Sequence, residues 1–256
     1  MTLVLAGILG LVVGSFLNVV IWRVPRGESV VKPPSACPRC GHRLHAWENI
    51  PVLSWLWLRG KCSRCRKPIA ARYPVIELVT AIAVVLVVLR FGVTWATLGY
   101  VYLACVAVAL VMIDLDVKRL PDKIVMPTYL VVIAALFAES LSDGQFGSFW
   151  RALAGGAILF VFYFLALVLY PGGMGFGDVK LAGVLGLALA WIGWGALAIG
   201  AFGAFLLGGV YSIVLLLTRR AGRKSGIPFG PWMIAGAAIG IAVGEQIWDQ
   251  YLALLA

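Results

Sequence analysis

The sequence predicts an all-α polytopic membrane protein of about eight transmembrane helices, with a small polar insert between the first two. Three observations carry this. The chain of 256 residues is 62% hydrophobic with mean hydropathy +0.99, whereas soluble domains run nearer half apolar. Its apolar runs are long and unbroken, as spanning helices of ~20 residues require. They do not show the short alternating pattern of a closed β-barrel. Finally, the charges collect in alternate connections, as set out below.

The apolar runs are 2–22, 74–91, 95–113, 124–141, 150–170, 179–195, 197–217 and 229–248. The first lacks a basic lead-in and a small-residue cleavage site, so it is expected to be a retained helix rather than a removable signal. No charge separates 179–195 from 197–217, which makes that division the weakest. With the N-terminus outside and eight alternating spans, the inner segments are 23–73, 114–123, 171–180 and 218–228. They hold 19 of the 21 Lys and Arg residues, and only Arg90 and Arg151 fall outside. That is the positive-inside distribution. The net charge of +10 is thus a topology signal, with anionic lipid headgroups as neighbours, and does not point to nucleic acid.

Residues 23–73 interrupt the apolar chain with eleven Lys and Arg, several prolines and four of the five cysteines. A unit this small needs a staple. Cys37 and Cys40 form one CxxC pair and Cys62 and Cys65 a second, 21 residues on. Two such knuckles can bring four thiolates to one tetrahedral Zn²⁺. Gly41 after the first pair suits the turn. The rival readings are a redox CxxC, two disulfides or free thiols, but an insert in a reducing compartment disfavours disulfides. His42 and His45 are spare ligands that four cysteines make unnecessary. A closed four-sulfur site has no open position, so the metal is structural. Cys105, in mid-helix, reads as a small buried apolar residue.

Glu139, Asp143, Glu245 and Asp249 fall at the outer face, where solvation explains them. The inner face is harder to dismiss. VMIDLDVKRLPD carries Asp114, Asp116 and Asp122, and PGGMGFGDVKL places Asp178 after Gly172, Gly173, Gly175 and Gly177. A carboxylate at the lipid boundary is costly unless paired or wetted. Two facing carboxylates can share one proton, and the titration then belongs to the pair. The acid polarises a peptide carbonyl while its partner deprotonates a water. The glycines would let an extended substrate lie beside the carboxylate. Against this, Asp114 and Asp178 could be interfacial charges paired with Lys118, Arg119 or Lys180, and the glycines a helix stop. A phosphate loop is excluded, because GxxxxGK[ST] is absent.

In order along the chain, GSFLNVVIWRVP (14–25), SACPRC, NIPVLSWLWLRGKCSRC, ARYPVIELVT, IDLDVKRLPD (113–122), GMGFGDVKLAG (173–183) and IPFGPWMIAGA (227–237) resemble the type IV prepilin peptidases, intramembrane aspartyl proteases of the GxGD class. The resemblance covers most of the chain. It implies a multi-pass protein of the bacterial inner membrane, with its N-terminus outside. It implies leader removal from prepilins and pseudopilins of type IV pili and type II secretion at the cytoplasmic face. N-methylation of the new N-terminus from S-adenosylmethionine would follow. The expected organisation is a first helix at 1–22, a four-cysteine zinc domain at 23–73 and a peptidase core at 74–256. Carried over by position, the catalytic pair is Asp114, seven residues before Pro121, and Asp178, after Gly175-Phe176-Gly177. Asp116 and Asp122 then support or cap the site.

Val24, Lys118-Arg119 and Ile124-Val125-Met126 depart from the usual motifs without touching either aspartate. The methyl-donor site has no motif. Asn18 and Glu77, polar breaks flanking the insert, are candidates, with helix packing and interfacial anchoring as the plainer explanations. Two other readings stand beside this one. The first is a non-enzymatic, zinc-stabilised transporter or assembly factor, since transporters also break helices with glycine. The second is a GxGD protease with other membrane substrates.

Overall fold

The computed structural model describes residues 1–170, 172–219 and 227–255. The expected inner connection 218–228 therefore lies largely outside the described residues, as does Pro171. Long helices dominate: α1 (Thr2–Arg23), α3 (Arg72–Phe91), α4 (Trp95–Val117), α5 (Asp122–Asp143), α6 (Gly147–Leu169), α7 (Phe176–Ile192), α8 (Trp194–Leu217) and α9 (Gly230–Leu255). A five-residue helix, α2 (Leu53–Trp57), lies within the insert. The described residues form no strand beyond two isolated bridges, Ala36 with Arg43 and Lys61 with Pro68.

Six of these helices are long and apolar enough to cross a membrane: α1, α3, α4, α5, α6 and α8. The other two expected spans are also helical, but α7 has only 17 residues and α9 carries Glu245 and Asp249 in its second half. The doubtful division falls at Gly193, three residues earlier than expected. There an extended residue (φ 175°) ends α7 and starts α8. Short as it is, α7 is the central helix, with Val179 and every residue from Leu181 to Ala190 buried.

Two apolar cores share α4. Cys105, Ala109 and Ile113 join Leu17, Ile21, Ile76 and Val84 of α1 and α3, so Cys105 is the buried apolar residue expected. Tyr100, Leu103, Val106 and Leu110 face α5, α7 and α9. Residues four apart share a helix face, so α4 presents one face to each core. Small residues set the close contacts between helices. A Cβ on Gly10 would come within 2.5 Å of Ala81 Cα, joining α1 to α3, and one on Gly186 within 2.5 Å of the Gly155 carbonyl, joining α7 to α6. Close backbone approach gives the dispersion contact that holds helices together where lipid offers no hydrophobic drive.

At the end of the bundle away from the insert, two acids differ from expectation. Solvation was expected for Glu139 and Glu245, but both serve as helix caps. Glu139 Oε2 accepts the Ala96 N–H at 2.8 Å and Glu245 Oε1 the Ala196 N–H at 2.8 Å. They supply acceptors for the unpaired first-turn donors of α4 and α8. Arg151 does the converse, donating to the carbonyls of Ala190, Trp191 and Ile192 at the end of α7. Asp143 and Asp249 are exposed, as expected.

Candidate active site

Asp114 lies in the last turn of α4 and Asp178 in the first turn of α7. Both are buried, at 4% and 8% exposure, and they lie within electrostatic reach of one another. The chain brings them together through a short connection. Leu120, between α4 and α5, fits between α7 and α9. A Cβ on Gly177 would come 2.9 Å from Leu120 Cβ, and one on Gly230 would come 3.4 Å from Leu120 Cδ2 and 2.8 Å from Asp114 Oδ2.

Each carboxylate is held by a backbone donor from a helix start. Asp178 Oδ2 accepts the Gly175 N–H at 2.9 Å, reaching back three residues across the first turn of its own helix. Asp114 Oδ2 accepts the Gly230 N–H at 3.1 Å, from the start of α9. Asp114 sits at the carboxyl end of α4, where the helix dipole disfavours negative charge, so the donor at the start of α9 offsets its own helix. Tyr163 of α6, buried among Phe205 and Phe229, lies within electrostatic reach of Asp178.

The flanking aspartates have other partners. Asp116 is held by both guanidinium nitrogens of Arg72, at 2.9 and 2.5 Å. Asp122, the first residue of α5, takes the Lys180 ammonium at 2.7 and 2.8 Å. Lys180 therefore pairs with Asp122 and not with Asp178. The first pair ties the start of α3 to the end of α4, and the second ties α5 to α7, so both brace the aspartate pair from outside. The glycines differ from expectation. Of the four before Asp178, only Gly172 has a left-handed φ, at 103°. Gly175 is an extended cap residue and Gly177 is helical. Gly177 is glycine because Leu120 needs the space.

In the insert, one sulfur each from Cys37, Cys40, Cys62 and Cys65 lies within 4.8 Å of the others. Cys37 Sγ and Cys65 Sγ are 3.9 Å apart. A tetrahedron with metal–sulfur bonds of 2.3 Å has edges of ~3.8 Å, so the four sulfurs fit a metal. The two knuckles repeat one another. Cys37 N–H donates to His42 O and Gly41 N–H to Cys37 O. Cys62 N–H likewise donates to Lys67 O and Arg66 N–H to Cys62 O. Gly41 and Arg66 both take φ near +60°, at 69° and 58°. The backbone N–H groups of Cys65 and Arg64 pull the Cys62 thiol down to about 6, which favours the thiolate a metal needs. His42, His45 and Glu48 form a second group whose ligand atoms lie within 4.8 Å of one another, apart from the four sulfurs. Glu48 Oε2 is 3.1 Å from His42 Nε2 and accepts the His45 N–H at 2.7 Å.

The insert is anchored to the helices below it. Glu77 Oε2 of α3 accepts the Val52 N–H at 2.7 Å. The Asn18 amide donates to Gly14 O and Tyr73 O, joining α1 to α3. The sequence reading missed Gly230, Leu120 and Tyr163 as members of the aspartate site. IPFGPW was in view as the entry to the last helix, but nothing in it marks the Gly230 N–H as a partner of Asp114.

Residues 8–91 match the bacterial peptidase A24 N-terminal domain, and residues 101–213 match the type IV leader peptidase family. Relatives named prepilin leader peptidase/N-methyltransferase include proteins of Pseudomonas aeruginosa, Aeromonas hydrophila and Neisseria gonorrhoeae. The first is 39% identical over 96% of this chain and 91% of its own length. The second is 40% identical over 94% and 91%, and the third 36% over 95% and 91%. No solved structure matches the chain. Matched across nearly its whole length, in both the aspartate-bearing helices and the four-cysteine insert, this multi-pass chain belongs to the type IV leader peptidase family.

Proposed function

We propose that the protein removes the leader from type IV prepilins and pseudopilins and then N-methylates the exposed N-terminus, with Asp114 and Asp178 as the peptidase pair. The observation that carries the peptidase assignment is the convergence of two buried carboxylates at one end of the bundle, each oriented by a backbone N–H. Family membership and the names of the relatives support both activities.

One carboxylic acid and one carboxylate facing a scissile peptide bond are sufficient for hydrolysis. The carboxylate takes a proton from water as the oxygen attacks the carbonyl carbon. The acid donates to the carbonyl oxygen, and collapse returns a proton to the leaving amine. The backbone donors matter because they fix which oxygen of each aspartate is occupied. Among the described residues Oδ2 of each takes a backbone N–H, and Oδ1 of each is the oxygen proposed to meet water or substrate. Burial keeps the reaction away from bulk water, where hydrogen bonds and charges act more weakly.

The four sulfurs would hold Zn²⁺ as a structural ion that closes the insert. S-adenosylmethionine is the methyl donor that the second activity calls for. The positive-inside distribution supports a reading with the insert and the aspartates at the cytoplasmic face of the inner membrane, the N-terminus outside and all eight long helices spanning. Units at 1–22, 23–73 and 74–256 then correspond to anchor, zinc insert and peptidase core, with anionic lipid around the basic face.

Asp114→Asn and Asp178→Asn test the pair. Each keeps the size of the side chain and removes its acid–base function. Assayed with a purified prepilin in detergent or liposomes, each variant should lose about a hundredfold or more in cleavage, as removal of general acid–base catalysis implies. Wild-type cleavage by either variant would reject the assignment.

A further inference from the structure

The insert meets the helices at a carboxylate that the peptidase does not use. Glu77 is 7% exposed, and the donors around it are neutral: the Val52 N–H at 2.7 Å and the Ser15 hydroxyl. The ion pairs among the described residues are His42 with Glu48, Arg72 with Asp116 and Lys180 with Asp122. Glu77 is in none of them. A buried carboxylate held only by neutral donors is a place that favours a cation.

The segment above it is strained. Val52 has φ 61° and ψ −50°, and the Leu53 N–H donates to Pro51 O at 2.5 Å. This is the rare positive-φ γ-turn, here centred on a β-branched residue, for which such a backbone is strained. Strain of this kind lowers the cost of lifting Pro51-Val52 from the carboxylate. Glu77 also lies toward the same end of the bundle as the peptidase pair, facing α1 where Asp114 faces α9. Arg72 holds Asp116, two residues beyond Asp114. Glu77 lies five residues into α3 from Arg72, so the two acids differ in depth by about 4–5 Å at 1.5 Å per residue. They stand on neighbouring helices about 8–10 Å apart.

We propose that Glu77 is the onium-binding carboxylate of the methyl-transfer site, facing either the donor's sulfonium or the ammonium of the cleaved pilin. The proposal rests on the methyl-transfer reading above. In the step it serves, the lone pair of the pilin amine forms the N–C bond to the donor's methyl as the C–S bond breaks. The bonding pair passes to sulfur, which leaves as a neutral thioether. The surplus N–H proton passes to the Glu77 carboxylate. A nearby negative charge stabilises the cationic reactant and accepts that proton.

Glu77→Gln separates this role from a latch, because its amide oxygen still accepts the Val52 N–H. The full-length variant is compared with wild type for leader cleavage, zinc content, methylation kinetics, and binding of S-adenosylmethionine and the neutral S-adenosylhomocysteine by equilibrium dialysis. Cleavage within twofold, unchanged zinc and at least a tenfold loss of methylation are expected. A sulfonium role shows as weaker binding of S-adenosylmethionine with S-adenosylhomocysteine unaffected. An ammonium role shows as a raised KM for cleaved pilin with donor binding unaffected. The proposal is overturned by wild-type methylation in Glu77→Gln, by parallel loss of cleavage and methylation, or by equal loss of both donor forms. A wild-type protein that cleaves but never methylates would overturn the methyl-transfer reading as well.

Discussion

A single backbone N–H decides how Asp114 faces its partner. It comes from Gly230, where a Cβ would stand 2.8 Å from Asp114 Oδ2. Gly230→Ala must therefore push the carboxylate or the start of α9 aside. A hydrogen bond to a charged group is worth about 1.5–3 kcal/mol, so cleavage should fall by roughly tenfold or more, while zinc content stays at the wild-type level. In the insert, burial raises the Glu48 carboxyl, but the Ser63 hydroxyl, the His45 N–H and His42 outweigh it and hold it below its ordinary 4.5. A depressed carboxylate stabilises the fold at pH above its unfolded value, and that stability is lost as the pH falls through the folded value. Glu48→Gln should thus exchange amide hydrogens faster than wild type over residues 36–48 at neutral pH. The two proteins should converge once the pH drops well below 4.5.

At the scale of elements, the two cysteine knuckles are the same turn built from different residues. Gly41 takes the left-handed conformation freely, but Arg66 takes it at a cost. For an L-residue with a side chain that cost is about 1 kcal/mol. Arg66→Gly should accordingly raise the midpoint of chelator-induced zinc release and leave prepilin cleavage unchanged. An unchanged or lower midpoint would mean that the Arg66 side chain contributes more than its backbone costs. The helix ends follow a similar logic over longer range. Glu139, Glu245 and Arg151 each satisfy the terminus of a helix other than their own. That is why single-segment reading took the two glutamates for solvated surface: a side-chain cap is visible in sequence only when donor and acceptor are neighbours.

For the whole molecule, the apolar runs, the four cysteines and both aspartates were legible because each follows a local rule: length, CxxC spacing, or an acid at a lipid boundary. The parts that were not legible join elements distant in sequence. Leu120 wedged against Gly177 and Gly230, Tyr163 within electrostatic reach of Asp178, and Val52 bound to Glu77 leave no local trace. Gly177 makes room for Leu120, a contact that nothing in GMGFGDVKL marks. Orientation is testable on the intact protein. With the insert inside, a membrane-impermeant thiol reagent added to cells should leave Cys37, Cys40, Cys62 and Cys65 unlabelled even after chelation. Inverted vesicles given chelator should label them. Labelling in intact cells would reverse the topology.

The bond from Gly230 to Asp114 also sets an order of events during synthesis. Both aspartates leave the ribosome before α9 does. A nascent chain inserted as far as α8 holds the two acids but lacks the donor that aims one of them. On the proposed assignment, a chain that stops before α9 should cleave prepilin at least about tenfold more slowly than the full chain, matching the loss expected of Gly230→Ala.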